Sequence, residues 1–229
     1  MHRVSVFGTV RDYPQKGHDR FYRDQKRSFA GVFDGAGGDE LSDAAITRLP
    51  YVLPRYDDVR RLSERDFMAG VAQVLDNLPE ARLSRSTAEL ATVALNDGYD
   101  RITYLNMGDS SIYFYDHDKD ILTRVAHTPE SYETVGTRRY ISTKDFLGNG
   151  RDHESLKRLI GSTFVQSTVR WSVVGFSDGV QGDSGEGIPT PTLRTILRDA
   201  KPESVPDDIL DNTPEYDDAS VFVMTNVTS

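Results

Sequence analysis

The sequence contains no cysteine among its 229 residues. Disulfide bonds, thiolate zinc sites and cysteine nucleophiles are therefore excluded. No apolar run approaches the roughly 20 residues that a membrane-spanning helix needs, and the first residues show no long apolar segment of the secretory type. We therefore expect a protein of the reducing cytoplasm that has no membrane partner.

Positive charge is also scarce, because 27 Lys and Arg residues face 36 Asp and Glu residues, which gives a net charge of −9. Nucleic-acid backbones attract clustered Lys and Arg, so we expect no nucleic-acid partner. The excess of carboxylates fits either an acidic soluble surface or a site for hard cations. The length and the 37% hydrophobic content predict one globular domain over residues 1–229.

Short β-rich segments separated by turn residues fill the centre of the chain, whereas helical patterns fall in separate blocks. The pattern predicts strands over 3–10, 28–33, 88–95, 102–107, 111–115, 121–125, 164–169, 171–176 and 219–224, and helices over 39–46, 62–78, 154–160 and 191–200. Hairpin turns are predicted at 96–98 and 116–120, and the segments 164–169 and 171–176 are predicted to pair with each other. The polar segment 128–151 is interpreted as a surface flap. This order is typical of an α+β protein and not of a parallel sheet with alternating helices.

Three aspartates lie at the ends of predicted strands. Asp34 and Asp178 each follow a strand, and Asp217 comes just before the last one. If that strand is antiparallel to the other two, the three carboxylates meet at one sheet edge. Gly35 and Gly179 directly follow two of them and allow sharp turns there.

Carboxylates a few ångströms apart repel each other unless cations lie between them. Sites made only of oxygen ligands favour Mg²⁺ or Mn²⁺ over soft metals. Two such ions about 3.5–4 Å apart share a carboxylate and lower the pKa of a bridging water. Each aspartate alone is better explained as the cap of a turn, but the three together favour a metal site.

Six segments, in chain order, resemble the motifs of one family, the type 2C (PPM-type) metal-dependent serine/threonine protein phosphatases in their minimal bacterial form. Each segment is weakly specific, but the ordered set of six is a strong signal. The segments are His18-Asp19-Arg20, Phe33-Asp34-Gly35-Ala36-Gly37-Gly38, Ser86-Thr87-Ala88, Asn106-Met107-Gly108-Asp109-Ser110, Ser177-Asp178-Gly179 and Asp217-Asp218-Ala219-Ser220-Val221. In the resemblance, His18-Asp19-Arg20 stands where an acidic residue closes the preceding strand.

The resemblance implies a four-layer α-β-β-α sandwich with two antiparallel sheets, formed by a single catalytic domain. It implies a hydrolase in which a metal-activated water attacks phosphoserine or phosphothreonine directly, without a phosphoenzyme. The implied partners are phosphorylated protein substrates and a cognate Ser/Thr kinase in a signalling role. We expect the protein to be a monomer.

The resemblance also implies the role of each catalytic residue. Asp34 would bridge two Mg²⁺ or Mn²⁺ ions, and Gly35 would offer its carbonyl to one of them. Asp178 and Asp217 would complete the shell of the other ion. Asp19 would hold metal-bound water from the second coordination shell.

Further positions extend or depart from the family pattern. Asp109 would join Asp178 at a third, weaker metal site. Ala36 replaces a histidine that can donate a proton to the leaving group, and His18 is a candidate substitute. The phosphate-binding arginine of the family has no clear match, and Arg11 or Lys16 is the candidate for that role.

These departures leave two alternatives open. The first is a pseudophosphatase that binds phosphoproteins or a kinase with little or no turnover. The second is a metal-dependent hydrolase of small phosphoesters or nucleotides.

Overall fold

The computed structural model of the protein describes residues 3–14, 16–56, 63–126, 131–135, 138–142, 146–181, 187–214 and 217–227. The predicted flap over 128–151 lies partly outside these residues. Its described part includes a two-stranded antiparallel ribbon of β10 (Ser131–Val135) and β11 (Arg138–Ser142).

The first of two large sheets is antiparallel and has the strand order β1-β14-β13-β8-β9. Its strands are β1 (Ser5–Arg11), β8 (Ser111–Asp116), β9 (Ile121–Ala126), β13 (Trp171–Phe176) and β14 (Ala219–Thr225). Strands β13 and β14 are buried along their whole length, which explains their continuous apolar sequences.

The second large sheet is also antiparallel and has the order β12-β7-β6-β3-β2. Its strands are β2 (Arg20–Asp24), β3 (Phe29–Phe33), β6 (Ala88–Leu95), β7 (Tyr99–Met107) and β12 (Ile160–Gln166). A short ribbon of β4 (Gly35–Ala36) and β5 (Arg85–Ser86) continues from one end of this sheet.

The two sheets face each other and helices cover their outer surfaces. Apolar residues from both sheets, including Val32 and Phe222, pack between them. The core on the outside of the second sheet includes helices α1 (Glu40–Val52), α2 (Glu64–Asp76) and α3 (His153–Lys157). The core on the outside of the first sheet includes helices α5 (Thr190–Asp199) and α6 (Val205–Asp211). A single turn, α4 (Asp178–Gln181), follows β13. The predicted α-β-β-α sandwich is thus confirmed.

Local sequence signals explain where several elements begin and end. Ser63 caps α2, because its hydroxyl accepts a hydrogen bond of 3.1 Å from the backbone N–H of Asp66. The turn between β6 and β7 contains Gly98 with φ +90°, a conformation that favours glycine. Both predicted hairpin turns, after β6 and after β8, are present.

The structure differs from the sequence prediction in several details. The segments predicted as a strand pair over 164–169 and 171–176 belong to different sheets, since β12 pairs with β7 and β13 pairs with β8 and β14. Strand β2 and helix α6 were not predicted. Asp19 lies just before β2, so it precedes a strand instead of closing one.

Within the described residues, none of the helices combines the length and the apolar character needed to cross a membrane.

Candidate active site

A cavity of about 320 Å³ lies where the ends of the two sheets meet. Asp34 follows β3 of the second sheet, and Asp109 lies in the turn from β7 to β8. Asp178 follows β13, while Asp217 precedes β14, its antiparallel neighbour. All four side chains line the cavity, so chain segments far apart in sequence bring their carboxylates to one place.

Three of these carboxylates form a compact cluster. Asp34, Asp109 and Asp178 each place one carboxylate oxygen so that the three oxygens lie within 4.8 Å of one another. All three residues are only partly exposed. The family resemblance implies that Asp34 is shared by two cations and that Asp109 belongs to a third, weaker metal site. The structure brings both residues together with Asp178.

The electrostatics of the cluster show why it needs a positive partner. Burial raises the pKa of Asp34 well above its ordinary value, and the nearby charges of Asp178 and Asp19 raise it further. The carboxylates therefore resist being ionised together in the metal-free protein. An all-oxygen donor set with this property fits hard divalent cations such as Mg²⁺ or Mn²⁺.

Asp19 is buried next to the cluster, with 1% of its surface exposed. Burial raises its pKa to about 6, although the nearby hydroxyls of Ser177 and Ser220 and the carboxyl group of Asp34 act in the opposite direction. Neither carboxylate oxygen forms a hydrogen bond of ordinary geometry with any residue that the structure describes. Such a buried acceptor fits a position where it receives a hydrogen bond from water at the cluster.

Asp217 lies in the cavity but outside the compact cluster. The Lys16 ammonium donates a hydrogen bond of 2.6 Å to Asp217 Oδ1 and forms an ion pair with it. The neighbouring Asp218 is buried and accepts hydrogen bonds from the backbone N–H groups of Tyr13, Gly17 and His18, at 2.6, 2.7 and 2.9 Å. Asp218 thereby fixes the loop that presents both Lys16 and His18 to the cavity.

Gly35 and Gly179 occupy positions that no larger residue fits. A Cβ atom on Gly35 would lie 2.9 Å from the Cβ of His18, and one on Gly179 would lie 2.8 Å from the backbone carbonyl carbon of Asp218. Both distances are shorter than real contacts of a Cβ atom, so glycine is required for the close approach of these segments.

Comparisons with known proteins find a shared fold and little sequence identity. No protein-family model matches the sequence, and no curated protein matches it. A sex-determining protein of C. elegans is 16% identical over 98% of this chain with a TM-score of 0.69, and this chain spans 65% of that longer one. RsbX in complex with magnesium is 12% identical over 98% of this chain and 96% of its own, with a TM-score of 0.62. The PPM Ser-Thr phosphatase MsPP of Mycobacterium smegmatis, in complex with cacodylate, is 16% identical over 96% of this chain and 97% of its own, with a TM-score of 0.62.

The chain has the fold of the PPM-type serine/threonine phosphatases. The resemblance drawn from six short motifs is thereby confirmed at the level of the fold, along nearly the whole chain.

Arg11 does not reach the cavity of this PPM fold. Its guanidinium donates hydrogen bonds to the backbone carbonyls of Leu210, Thr213 and Pro214, at distances of 2.6–3.3 Å. It therefore holds the end of α6 against β1. Of the two candidates for binding phosphate, the structure brings only Lys16 to the site.

Two residues, one lining the cavity and one beneath it, were missed by sequence reasoning. Phe146 lines the cavity, and its carbonyl accepts a hydrogen bond of 2.7 Å from the Arg151 guanidinium. The buried Asp76 accepts hydrogen bonds from the backbone N–H groups of Gly148 and Arg151, at 2.8 and 2.5 Å, and so anchors this segment to α2. No local signal predicts Phe146, because it lies within the polar segment 128–151 and meets the site only through tertiary contacts.

The second missed residue is Glu89, which lies within the apolar strand β6 and has no exposed surface. A charged residue inside a strand that is otherwise largely apolar was a visible signal in the sequence.

Proposed function

We propose that the protein is a metal-dependent phosphatase that hydrolyses phosphoserine and phosphothreonine in proteins. The observation that carries the proposal is the convergence of Asp34, Asp109 and Asp178 at the end of a PPM-type sandwich. A half-buried cluster of carboxylates is costly to maintain without cations, so its presence supports a metal site and not an inert fold.

The side chains present would divide the binding of two cations between them. Asp34 and Asp178 would hold them, with Asp109, Asp217 and the carbonyl of Gly35 as further oxygen ligands. When bound, Mg²⁺ or Mn²⁺ would lower the pKa of a water molecule and offset the negative charge of the phosphoester.

Other residues of the cavity would position the reactants. Asp19 would accept a hydrogen bond from the attacking water, because its buried oxygens form no ordinary hydrogen bond within the described part of the chain. Lys16 would exchange its ion pair with Asp217 for one with a substrate phosphate oxygen. His18 lines the cavity and is the group proposed to protonate the leaving serine or threonine oxygen.

The test is hydrolysis of phosphoserine and phosphothreonine peptides with Mn²⁺, compared with the same reaction in EDTA and with a panel of nucleotides. We expect metal-dependent release of phosphate that favours phosphopeptides. Turnover that favours nucleotides would identify a hydrolase of small phosphoesters. No turnover at high enzyme concentration would identify a pseudophosphatase.

A further inference from the structure

Glu89 lies beneath the cavity without lining it. Its neighbours on alternate positions of β6, Ala91 and Val93, pack in the apolar layer between the two sheets, so Glu89 points into the same layer. The side chain has no exposed surface. A carboxyl group buried in this position is tolerated only if its oxygens form hydrogen bonds.

The contacts of Glu89 run to two neighbouring segments. Asn106 lies directly opposite on β7, and its side-chain amide donates a hydrogen bond of 3.0 Å to Glu89 Oε1. The hydroxyl of Thr87 donates a longer one, of 3.4 Å, to Glu89 Oε2.

Each of these two partners reaches a segment that carries an aspartate of the cluster. The Asn106 amide also donates to the carbonyl of Ser110, the residue after Asp109, at 3.3 Å. The backbone N–H of Thr87 donates to the carbonyl of Asp34 at 2.8 Å, and the Thr87 hydroxyl accepts from the Asp34 N–H at 3.3 Å. The hydroxyls of Thr87 and Ser110 lie 3.4 Å apart and close the network.

We propose that Glu89 is a positioning residue that, through Thr87 and Asn106, holds the segments of Asp34 and Asp109 at the spacing that cation binding requires. The inference rests on the proposed function. It assigns to Glu89 no contact with the metal or the substrate.

The protonation state of Glu89 is consistent with a role based on hydrogen bonds. Burial raises its pKa well above the ordinary value, and the charge of Asp109 adds to this, while hydrogen bonds from Asn106 and Ser110 act in the opposite direction. A neutral carboxyl has the shape and the acceptor oxygen of a glutamine amide. Glutamine can therefore replace it and keep its hydrogen bonds, whereas leucine has a similar volume but cannot form them.

The experiment measures Mn²⁺ binding to metal-stripped protein by isothermal titration calorimetry, which does not depend on turnover. We expect Glu89→Gln to bind with a Kd within about threefold of the wild type, and Glu89→Leu to bind at least tenfold more weakly. Thermal unfolding followed by circular dichroism establishes that each variant is folded. If Glu89→Leu does not fold, Thr87→Val, which removes the linking hydroxyl, is expected to show the same weaker binding.

The matched control is Asp100→Asn. Asp100 is another fully buried carboxylate, but it lies at the start of β7, away from the cavity. It accepts a hydrogen bond of 2.8 Å from the indole N–H of Trp171. We expect this variant to lose thermal stability and to keep the Kd for Mn²⁺.

Wild-type affinity in folded Glu89→Leu would overturn the inference, and so would equal weakening in Glu89→Gln and Glu89→Leu. Wild-type protein that binds Mn²⁺ and hydrolyses no phosphopeptide would overturn the proposed function and leave the inference standing. Wild-type protein that binds no Mn²⁺ would overturn both.

Discussion

At the scale of single residues, the proposed site depends on a few carboxylates whose surroundings oppose their ionisation. Asp34 is the clearest case, because burial and the charges of Asp178 and Asp19 all raise its pKa. Such a residue lowers the stability of the metal-free protein, and its ionised form becomes favourable only when a cation is bound. Residues of this kind are commonly found at functional sites.

Replacing Asp34 should therefore separate stability from activity. We expect Asp34→Asn to reduce phosphopeptide turnover by on the order of 10³-fold or more, because several kcal/mol of charge stabilisation depend on the site. In EDTA the same variant should unfold at a higher temperature than the wild type, because the repulsion is removed. Turnover assays and thermal unfolding measure the two effects.

Asp199→Asn is the control, because Asp199 is an exposed carboxylate paired with Arg198 on α5. Its turnover should equal that of the wild type. Wild-type turnover in Asp34→Asn would show that the site has been assigned wrongly.

At the scale of secondary-structure elements, the site depends on how closely two strand ends approach. Gly179 follows Asp178, and the backbone of Asp218 and Ala219 occupies the space of a side chain at position 179. The first turn after β13 can therefore lie against the start of β14. This contact places Asp178 and Asp217 in the same cavity.

We expect Gly179→Ala to destabilise the protein by about 1–3 kcal/mol, because the added methyl group meets backbone atoms that cannot move without shifting β14. Turnover in the fraction that remains folded should also fall. Urea unfolding and phosphopeptide assays measure both changes.

Gly98→Ala provides the comparison. Gly98 has φ +90° in a turn with open space around it, so alanine there strains only the local backbone. This variant should lose stability and keep the turnover of the folded protein. If Gly179→Ala also keeps full turnover, the close approach of the strands is not needed for the chemistry.

The elements that the sequence predicted best are those whose pattern is local. Strands β6 to β9 are rich in β-forming residues and are separated by recognisable turns. Helix α6 was missed because it is short and contains a proline and three aspartates among its seven residues. The segments 164–169 and 171–176 were read as a pair because they are adjacent, whereas the change of sheet between them depends on tertiary packing.

The same distinction holds for the site. Asp34, Asp178 and Asp217 could be found because strand ends are visible in the sequence, and the structure places all three in one cavity. Their assigned roles as metal ligands stay predictions. The separation of Asp217 from the compact cluster, the anchoring of Arg11 to α6 and the position of Phe146 follow from contacts between distant segments, which local patterns do not encode.

At the scale of the whole molecule, the buried acids should give the metal-free protein an unusual dependence on pH. The pKa of Asp19 is about 6 in the fold, against an ordinary value of 3.8. Between these two values the folded state binds a proton that the unfolded state has released, so stability falls as the pH rises through this range and stays lower above it. Asp34 and Glu89, whose pKa values are also raised, act in the same direction.

We therefore expect the protein in EDTA to unfold at a higher temperature near pH 5.5 than near pH 7.5. Carboxylates with lowered pKa values, such as Asp66 and Asp120, lose their contribution only at lower pH and do not affect this comparison. Burial lowers the pKa of His117, so this residue acts in the opposite direction, and we expect the three acids together to outweigh it. Added Mn²⁺ should stabilise the protein more at the higher pH, because protons compete for the same oxygens. Metal-free stability that rises between pH 5.5 and 7.5 would contradict this interpretation.

In the proposed site, carboxylates from distant parts of the chain meet to hold paired hard cations. The most direct measurement is anomalous X-ray scattering from crystals of the protein soaked in Mn²⁺. We expect two peaks about 3.5–4 Å apart, both next to the carboxylate of Asp34 and one of them next to Asp178. A cavity without a peak at saturating Mn²⁺, or peaks bound only by other residues, would contradict the account.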